Sequence, residues 1–520
     1  MSLQSLDIDS ARFNLFYFVS SPPEMDGLRP RDLALSLPEE LLPALENAAI
    51  RDQPVWKPVG ERLHGDFLPN VRALFAPDNP QGVRVWELSA HWLKLLNGSR
   101  RLAPSSGKTP PLSLGMELGK RARERMVEHV GAVEAPLLQI EGLRCYGFST
   151  GFAVVVADVV LRNTRPSRTL LLETAHGLGR KHELVWREAE RVCASTTLGT
   201  LARGLLGRTD SRPSERVFTL VVAKVDGGCC DADEADRLAL YLARHYTDDY
   251  QASGDAGESR FLGDFENVRH CMSNEGMATV VRVDEHAPEI VQKYDCYVSV
   301  PVHQKICLID FHAERALQQY LAHTVAGGDA RPETGRVAAL ERQFRELRHF
   351  EWYFFYPVVS RINFHNRLHR AIMDIKHLDE QHALVGRVTA LYHAAMKEEQ
   401  ARRRFEDEKL RRRRMCWLTP LGAAAAGYLT VATIAREVVE AVRKEWLGEA
   451  EPAAVFLHHW EGSLALGVGL VAAAGIWLFL RRQCVRENHA FEEREHPVLE
   501  LVESTHLNHL SRKRRKGNKH

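Results

Sequence analysis

A regularly spaced set of small and hydroxyl side chains lies in the apolar segment that begins at Met415. Its members, which we call the stripe, recur at intervals of four, three, four, three and four residues: Thr419, Ala423, Ala426, Thr430, Thr433 and Glu437. In a helix this spacing places them on one face. Hydroxyl groups there can hydrogen-bond a hydrated ion, and a terminal acid can concentrate cations. The stripe therefore predicts a pore lining, with Glu437 as the candidate metal-binding residue.

Small residues in this pattern have a second interpretation, because Ala, Gly, Ser and Thr also let membrane helices approach each other closely. In the second apolar segment, Gly467, Gly475 and the alanines at 472–474 are typical of such packing. From the residues alone, the stripe is compatible both with a pore lining and with packing between helices.

Two histidines in the middle of the chain form a second candidate site. His365 and His369 are four residues apart on a predicted helix and could bind a metal ion together with Asp374 or His377. A packed or solvated histidine face is the more common arrangement for such a pair. The histidine spacing therefore favours a packed histidine face over a metal site.

Charged and aromatic residues offer two more candidates. Arg144, Arg162 and Lys224 lie on or beside predicted strands, where they could receive an anionic ligand. The aromatic run from His349 to Val359 could stack bases, but its density is more typical of a buried helix or subunit interface.

Sequence motifs of common enzymes are missing from the chain. There is no Gly-x-x-x-x-Gly-Lys-Ser/Thr, no Gly-x-Ser-x-Gly and no His-Glu-x-x-His, and the glycines at 177–179 lack the strand-to-helix context of a phosphate loop. We therefore predict that the protein is not an enzyme and holds no covalent cofactor.

Two long apolar runs position the stripe, Met415 to Ala435 and Gly462 to Leu480. As helices of 21 and 19 residues they would be roughly 31 and 28 Å long, close to the thickness of a bilayer core. Each run can therefore cross a membrane once. Since two spans cannot enclose a water-filled path alone, transport would require several copies of the chain.

Basic residues orient these spans. Arginines at 411–414 precede the first run and Arg481, Arg482 and Arg486 follow the second, whereas the loop at 436–461 has three basic and six acidic residues. The positive-inside rule therefore places both termini in the cytoplasm and the loop outside. None of the nine cysteines falls in that loop, and no signal peptide precedes the polar N-terminal part.

The polar part, residues 1–326, is predicted to be an α+β cytoplasmic head. At 520 residues, with 45% hydrophobic and 26% charged residues, the chain can bury substantial cores, and its net charge of +1 gives no reason to expect bulk nucleic-acid binding. The two runs LLQIEGLRCYGF and FAVVVADVVL predict strands joined at Ser149–Gly151. We further predict these elements of the head: a strand at 13–19, a helical stretch at 114–130, a helix at 171–194, a strand at 217–225, a helix at 231–245, strands in MATVVRVD, YDCYVSV and KICLID, and a helix at 312–323.

Long helices follow a linker at 327–336. We expect two segments, 337–377 and 379–414, with Pro357 interrupting the first and the second running unbroken into the first span. Leu384, Val388, Leu391 and Ala395 form a heptad-like seam suited to packing. The predicted organisation is therefore the N-terminal part of the head (1–135), the α+β domain (136–326), the long helices and stalk (337–414), the first span (415–435), an external loop (436–461), the second span (462–480) and a basic cytoplasmic tail (481–520).

This layout resembles that of the CorA-type divalent-cation transporters. Leu418 and Thr419 are similar to the Leu-Thr that opens the first span in that family, and the basic run at 512–516 is similar to its tail. The resemblance covers about residues 330–520, and the head by topology only. It implies a homopentamer in the bacterial inner membrane, with Mg²⁺ as a transported or regulatory ion.

One departure from this family concerns its ion-binding motif. CorA-type transporters end the first span with Gly-Met-Asn, whereas this chain has Arg436, Glu437 and Val438. A branch of the family without the motif accompanies type III CRISPR systems, and the resemblance to it implies an antiviral effector whose head binds a nucleotide second messenger. The alternative is a membrane-anchored signalling or scaffold protein that conducts nothing.

Overall fold

The computed structural model describes residues 6–20, 54–98, 112–207, 217–250, 259–325, 358–446 and 463–490, apart from short gaps within these ranges. The chain divides into two compact units, Met1–Val388 and Thr389–His520.

Nine strands of the first unit form one sheet, and three more form a small second sheet. The strands are β1 (Ile8–Ser20), β2 (Trp56–Pro58), β3 (Arg84–Leu88), β4 (Ser113–Met116), β5 (Leu138–Gly147), β6 (Phe152–Leu161), β7 (Glu183–Glu188), β8 (Arg191–Thr197), β9 (Phe218–Asp226), β10 (Arg260–Gly263), β11 (Val268–Met272) and β12 (Gly276–Val283). The large sheet has the order β10-β11-β12-β9-β1-β6-β5-β3-β2, and the small one β4-β7-β8. All described pairs in the large sheet are antiparallel except β9 with β12.

Helices of the first unit lie between and after these strands. They are α1 (Pro69–Leu74), α2 (Ala90–Leu96), α3 (Lys120–Val130), α4 (Arg168–Gly179), α5 (Leu198–Gly204), α6 (Ala232–Ala243), α7 (Glu289–Gln292), a π-helix (Asp295–His303), α8 (Gln304–Val325) and α9 (Asn363–Ile375). Local chemistry fixes several of their ends. The Asp231 side chain, for example, accepts a hydrogen bond from the Glu234 amide and caps α6.

The large sheet buries both faces, because successive side chains of a strand point in opposite directions. On β1, Phe13 and Leu15 join one core and Phe16 joins the other. The first core includes residues of α4 and α6, and the second includes residues of α8 and α9. This two-sided burial explains why the sequence of β6, FAVVVADVVL, is almost entirely apolar.

The structure confirms that the N-terminal body is mixed α+β. β5 and β6 pair as predicted around Gly151, whose φ of 83° suits the turn. β9 and α6 also occupy the predicted positions. β1, which the sequence predicted only as a short strand, lies in the middle of the large sheet between β9 and β6.

Three predictions for the first unit are wrong. YDCYVSV and KICLID are helical, in the π-helix and α8, rather than strands. The helix predicted at 171–194 ends at Gly179 and is followed by β7 and β8. The stretch at 114–130 contains β4 before α3 begins. A short apolar run that is buried on all sides carries no periodicity that separates strand from helix, which explains the error in KICLID.

Long helices end the first unit and form the described part of the second. α9 ends at Ile375, His377 adopts a φ of 51°, and α10 runs from Leu378 to Trp446. α10 thus continues through Pro420 and beyond the predicted span end at Ala435. A further helix, α11, covers Ala465–Glu487. The segments Arg403–Val442 and Ala465–Glu487 are long and apolar enough to cross a membrane, and 11% of the apolar window in each is buried.

Candidate functional site

The stripe lies on α10 with its face uncovered in the single chain. Five members are exposed, and Ala423 is half-buried. Glu437 is exposed, as are its neighbours Arg436 and Val438. The structure therefore keeps the predicted side chains together on one helix and leaves their face available.

Contacts between α10 and α11 use a different face of α10. Pro420 and Ala424 are buried, and a Cβ added at Gly427 would lie 2.5 Å from Ile476 Cδ1. These three residues are each offset by one position from a member of the stripe, about 100° around the helix. The small residues that allow close approach are therefore distinct from the stripe.

On α11, the glycine at the contact is Gly469. A Cβ added there would lie 2.7 Å from the Tyr428 ring, whereas a Cβ added at Gly467 or Gly475 would have no heavy atom within 4 Å. The prediction that Gly467 and Gly475 pack the two helices together is thus wrong for the single chain. A glycine pattern shows where helices can approach, but only the facing side chain decides where they do.

Threonine hydroxyls on the stripe have partners within α10. Thr430 Oγ1 donates to the Ala426 carbonyl at 3.0 Å, and Thr433 Oγ1 donates to the Leu429 carbonyl at 2.7 Å. These bonds satisfy the hydroxyl protons and leave oxygen lone pairs that can accept. Thr430 and Thr433 can therefore offer acceptors to a hydrated cation while their own donors are bonded within the helix.

Aromatic and basic residues mark the other end of this helix pair. The Trp417 and Trp477 rings lie 6.2 Å apart, and the Arg481 guanidinium carbon lies 4.9 and 4.8 Å from their centroids. Cation–π contacts of this kind join a charge to amphipathic rings, which is favourable where lipid meets water. This end coincides with the arginines from which the cytoplasmic side was predicted.

Each of the three cations predicted as anion ligands has a carboxylate partner, and together these ion pairs form the charged cluster of the large sheet. Lys224 Nζ is 2.7 Å from Asp295, and Arg162 is 3.0 Å from Glu141. The remaining pairs include Arg144 with Glu87 at 3.5 Å, and Arg12 with Asp158 at 3.3 Å and with Glu141. An anionic ligand would have to displace these carboxylates, so the cluster is not a ready anion site.

Lys305 is the residue of this region that the sequence analysis missed. It is 3% exposed, and its Nζ lies 2.6 Å from Glu61 Oε1 and 2.6 Å from the Tyr146 hydroxyl. Burial lowers the pKa of Lys305 to about 8, although Glu61 opposes this effect. Because KICLID was predicted as a strand, nothing in the sequence placed this lysine opposite β5.

The predicted histidine site is a packed face. His365 hydrogen-bonds with Ser360, and His369 forms a buried pair with Asp310 at 2.6 Å. Asp374 and His377 are exposed and do not join them. The structure thus supports the packing interpretation of this pair over the metal site.

Among the described residues, Asp7, Asp226 and Cys229 bring three ligand atoms within 4.8 Å of one another. Asp226 already accepts the Gly228 amide within its own turn. Acidic groups near the surface are common without an ion, and in the part of the chain that the structure describes Glu437 belongs to no such group. The aromatic residues at 349–357, the loop at 447–462 and the basic tail at 512–516 lie outside the described residues.

The chain was compared with known proteins at the levels of family, sequence and structure. No family model, curated protein or solved structure matches it.

Proposed function

We propose that this protein is a homo-oligomeric cation channel or transporter of the CorA-like type, embedded in a bacterial inner membrane and gated by its cytoplasmic head. Several copies would assemble, five by the family resemblance, with the stripes around a central axis. Both termini would face the cytoplasm, and the segment between the spans would face outside.

The observation that carries this proposal is that the stripe and the contact with α11 lie on different faces of α10. Gly427 contacts α11 and shares its helix face with the buried Pro420 and Ala424, while five of the six stripe residues are exposed on a neighbouring face. A helix that served only as an anchor would need no second small, hydroxyl-bearing face. Oligomerisation would cover that face and turn its hydroxyls toward a shared axis.

Continuity of α10 supports gating by the head. One helix runs from Leu378, whose side chain is buried in a core of the first unit, to Trp446 beyond the stripe. A continuous helix can carry a change at its first turns along the chain to the pore. The ligand that would cause such a change is proposed, from the family resemblance, to be a nucleotide second messenger bound by the head.

Selectivity for Mg²⁺ is not part of the proposal, because Arg436, Glu437 and Val438 stand where the family has Gly-Met-Asn. A ring of Glu437 carboxylates would attract cations without dehydrating them. We therefore expect hydrated mono- and divalent cations to pass in preference to anions.

Flux measurements on the full chain in liposomes test this function. With Mg²⁺, Ni²⁺ and K⁺ as probes, and with cell extract or nucleotides added to open the pore, Glu437→Gln and Thr430→Val are expected to reduce flux. Matched controls are Glu445→Gln and Leu429→Val, which change exposed residues of α10 outside the stripe.

Particle symmetry in detergent gives a second test. Five-fold symmetry about the first span is expected, and a monomer would end the proposal. Absence of flux for every ion, with and without extract, would leave the alternative of a membrane-anchored signalling or scaffold protein.

A further inference from the structure

Two cysteines meet where α10 and α11 pack against each other. α10 and α11 run antiparallel, with Gly427 beside Ile476 and Gly469 beside Ala432, and this register places Cys416 opposite Cys484 although the two are far apart in the sequence. Both are free thiols and both are half-buried. They are thus close to each other and still within reach of a small reagent.

Neighbouring contacts hold this juxtaposition in place. Trp417, next to Cys416, lies 4.9 Å from the Arg481 guanidinium, and Arg481 is one helical turn before Cys484. Trp477, one turn earlier again, lies 6.2 Å from Trp417. Since residues three and four apart share a helix face, the rings, the guanidinium and the thiols belong to one interface.

We propose that Cys416 and Cys484 form a reversible disulfide within one chain when a small disulfide oxidant reaches the membrane edge. One cysteine sulfur attacks the oxidant, forms a mixed disulfide and releases one small thiol. The second cysteine sulfur then attacks the protein sulfur of that mixed disulfide and releases the other small thiol. Two protein thiols are oxidised, one small disulfide is reduced to two thiols, and no further reactant is required.

Location makes this bond conditional rather than permanent. If both cysteines face the cytoplasm, as the basic flanks predict, reducing conditions keep them as thiols, and a bond that forms there reports a change in redox state. The bond would join the two apolar helices at the arginine-rich end and restrict their relative movement. Where α10 moves against α11 during gating, which rests on the proposed function, oxidation would hold the pore in one state.

The test uses the full chain in liposomes. Samples are equilibrated with mixtures of reduced and oxidised glutathione, free thiols are trapped by alkylation, and the digest is analysed by mass spectrometry without reduction. A peptide linking Cys416 to Cys484 is expected to appear as the mixture becomes more oxidising and to disappear with dithiothreitol.

Variants and isotope labelling complete the design. Cys416→Ser and Cys484→Ser should each abolish the linked peptide, while Cys193→Ser, which changes a half-buried thiol of β8, should leave it unchanged. Mixing labelled and unlabelled chains separates a bond within one chain from one between chains. The proposal fails if both thiols remain alkylated in the most oxidising mixture, or if the linkage forms only between chains.

The chemical readout does not depend on transport. A linked peptide without any ion flux would support the thiol pair and contradict the proposed channel. Flux without a linked peptide would support the proposed channel and contradict the thiol pair.

Discussion

Two buried histidines of the first unit, His270 and His245, are hydrogen-bonded, but burial makes the charged form of each ring costly. His270 hydrogen-bonds with Thr279 at 2.9 Å and with the Tyr294 hydroxyl at 3.2 Å, while it is 1% exposed. Burial lowers the pKa of His270 to about 3, and that of His245 to about 3. In the folded protein these side chains stay neutral at pH values where an unfolded chain would protonate them.

This arrangement predicts loss of stability in acid. Because the folded pKa is lowered, the unfolded state binds more protons between pH 6.5 and about 3, so stability is complete above pH 6.5 and falls as the pH drops through that window. For one such histidine the loss between pH 7 and 5 is about 2 kcal/mol. Thermal midpoints of the full chain in detergent, measured at a series of pH values, should show it.

The variant that isolates this effect is His270→Gln, which should flatten the decrease in thermal midpoint between pH 7 and 5. Its control is His129→Gln, at an exposed position of α3, which should leave the pH dependence unchanged. Equal slopes for His270→Gln and the unaltered chain would contradict the assignment.

The Lys305–Glu61 pair gives a second prediction at this scale. Glu61→Ala should destabilise the first unit more than Lys305→Met, because it leaves an ammonium that is 3% exposed without its carboxylate, whereas Lys305→Met leaves Glu61 with Arg144 at 3.9 Å. Breaking a buried pair costs about 3 kcal/mol or more. Thermal unfolding of both variants and of the double variant would measure this, and additive losses would contradict the pairing.

At the scale of elements, the contact between α10 and α11 depends on one close approach. A Cβ added at Gly469 would lie 2.7 Å from Tyr428 Cδ2 and 3.3 Å from Ala432 Cβ. Ala432 Cβ is bonded to the α10 backbone and cannot give way without moving the helix, and the Tyr428 ring would have to change its rotamer. The fit of these helices is therefore sensitive to volume at this position.

Gly469→Leu should accordingly separate the two helices and destabilise the second unit by about 1–3 kcal/mol. Gly475→Leu is the matched control, since the same substitution on the same helix meets open space. Thermal aggregation of the detergent-solubilised protein is the measurement. If both variants behave alike, the helices do not pack as described.

At the scale of the whole molecule, every described side chain of the two cores lies within the first unit. The last of them along the chain is Val385, and the unit ends at Val388. α9 is part of this unit because it contributes Leu368 and Ile372 to the second core. We therefore expect the first unit to fold without the apolar helices when the chain is cut inside α10.

A chain that ends at Val388 is therefore expected to remain in the supernatant after high-speed centrifugation and to melt cooperatively by circular dichroism. A chain that ends at Arg361, which lacks α9, should aggregate, because the apolar surface that Leu368 and Ile372 cover would be exposed. Pelleting of the longer chain would show that residues after Val388 are needed for its fold.

Local composition in the sequence was sufficient to predict the two apolar helices, the β5–β6 hairpin, β9, α6 and the break before α10. Each of these depends on neighbours within one element: a run of apolar residues, an alternation, a turn glycine or a capping aspartate. The stripe itself is likewise a property of spacing along one helix. These features therefore followed from residue order alone.

Contacts between distant residues decided the rest. KICLID is helical, but because it is buried on all sides its apolar residues show no periodicity that distinguishes a helix from a strand. The ion pair of Lys305 with Glu61 and the placement of Cys416 opposite Cys484 both depend on tertiary folding. The tertiary structure also decided that α10 packs on α11 through Gly427 and leaves the stripe exposed. Spacing shows which residues share a face, but what covers that face depends on side chains far away in the sequence, which local patterns do not encode.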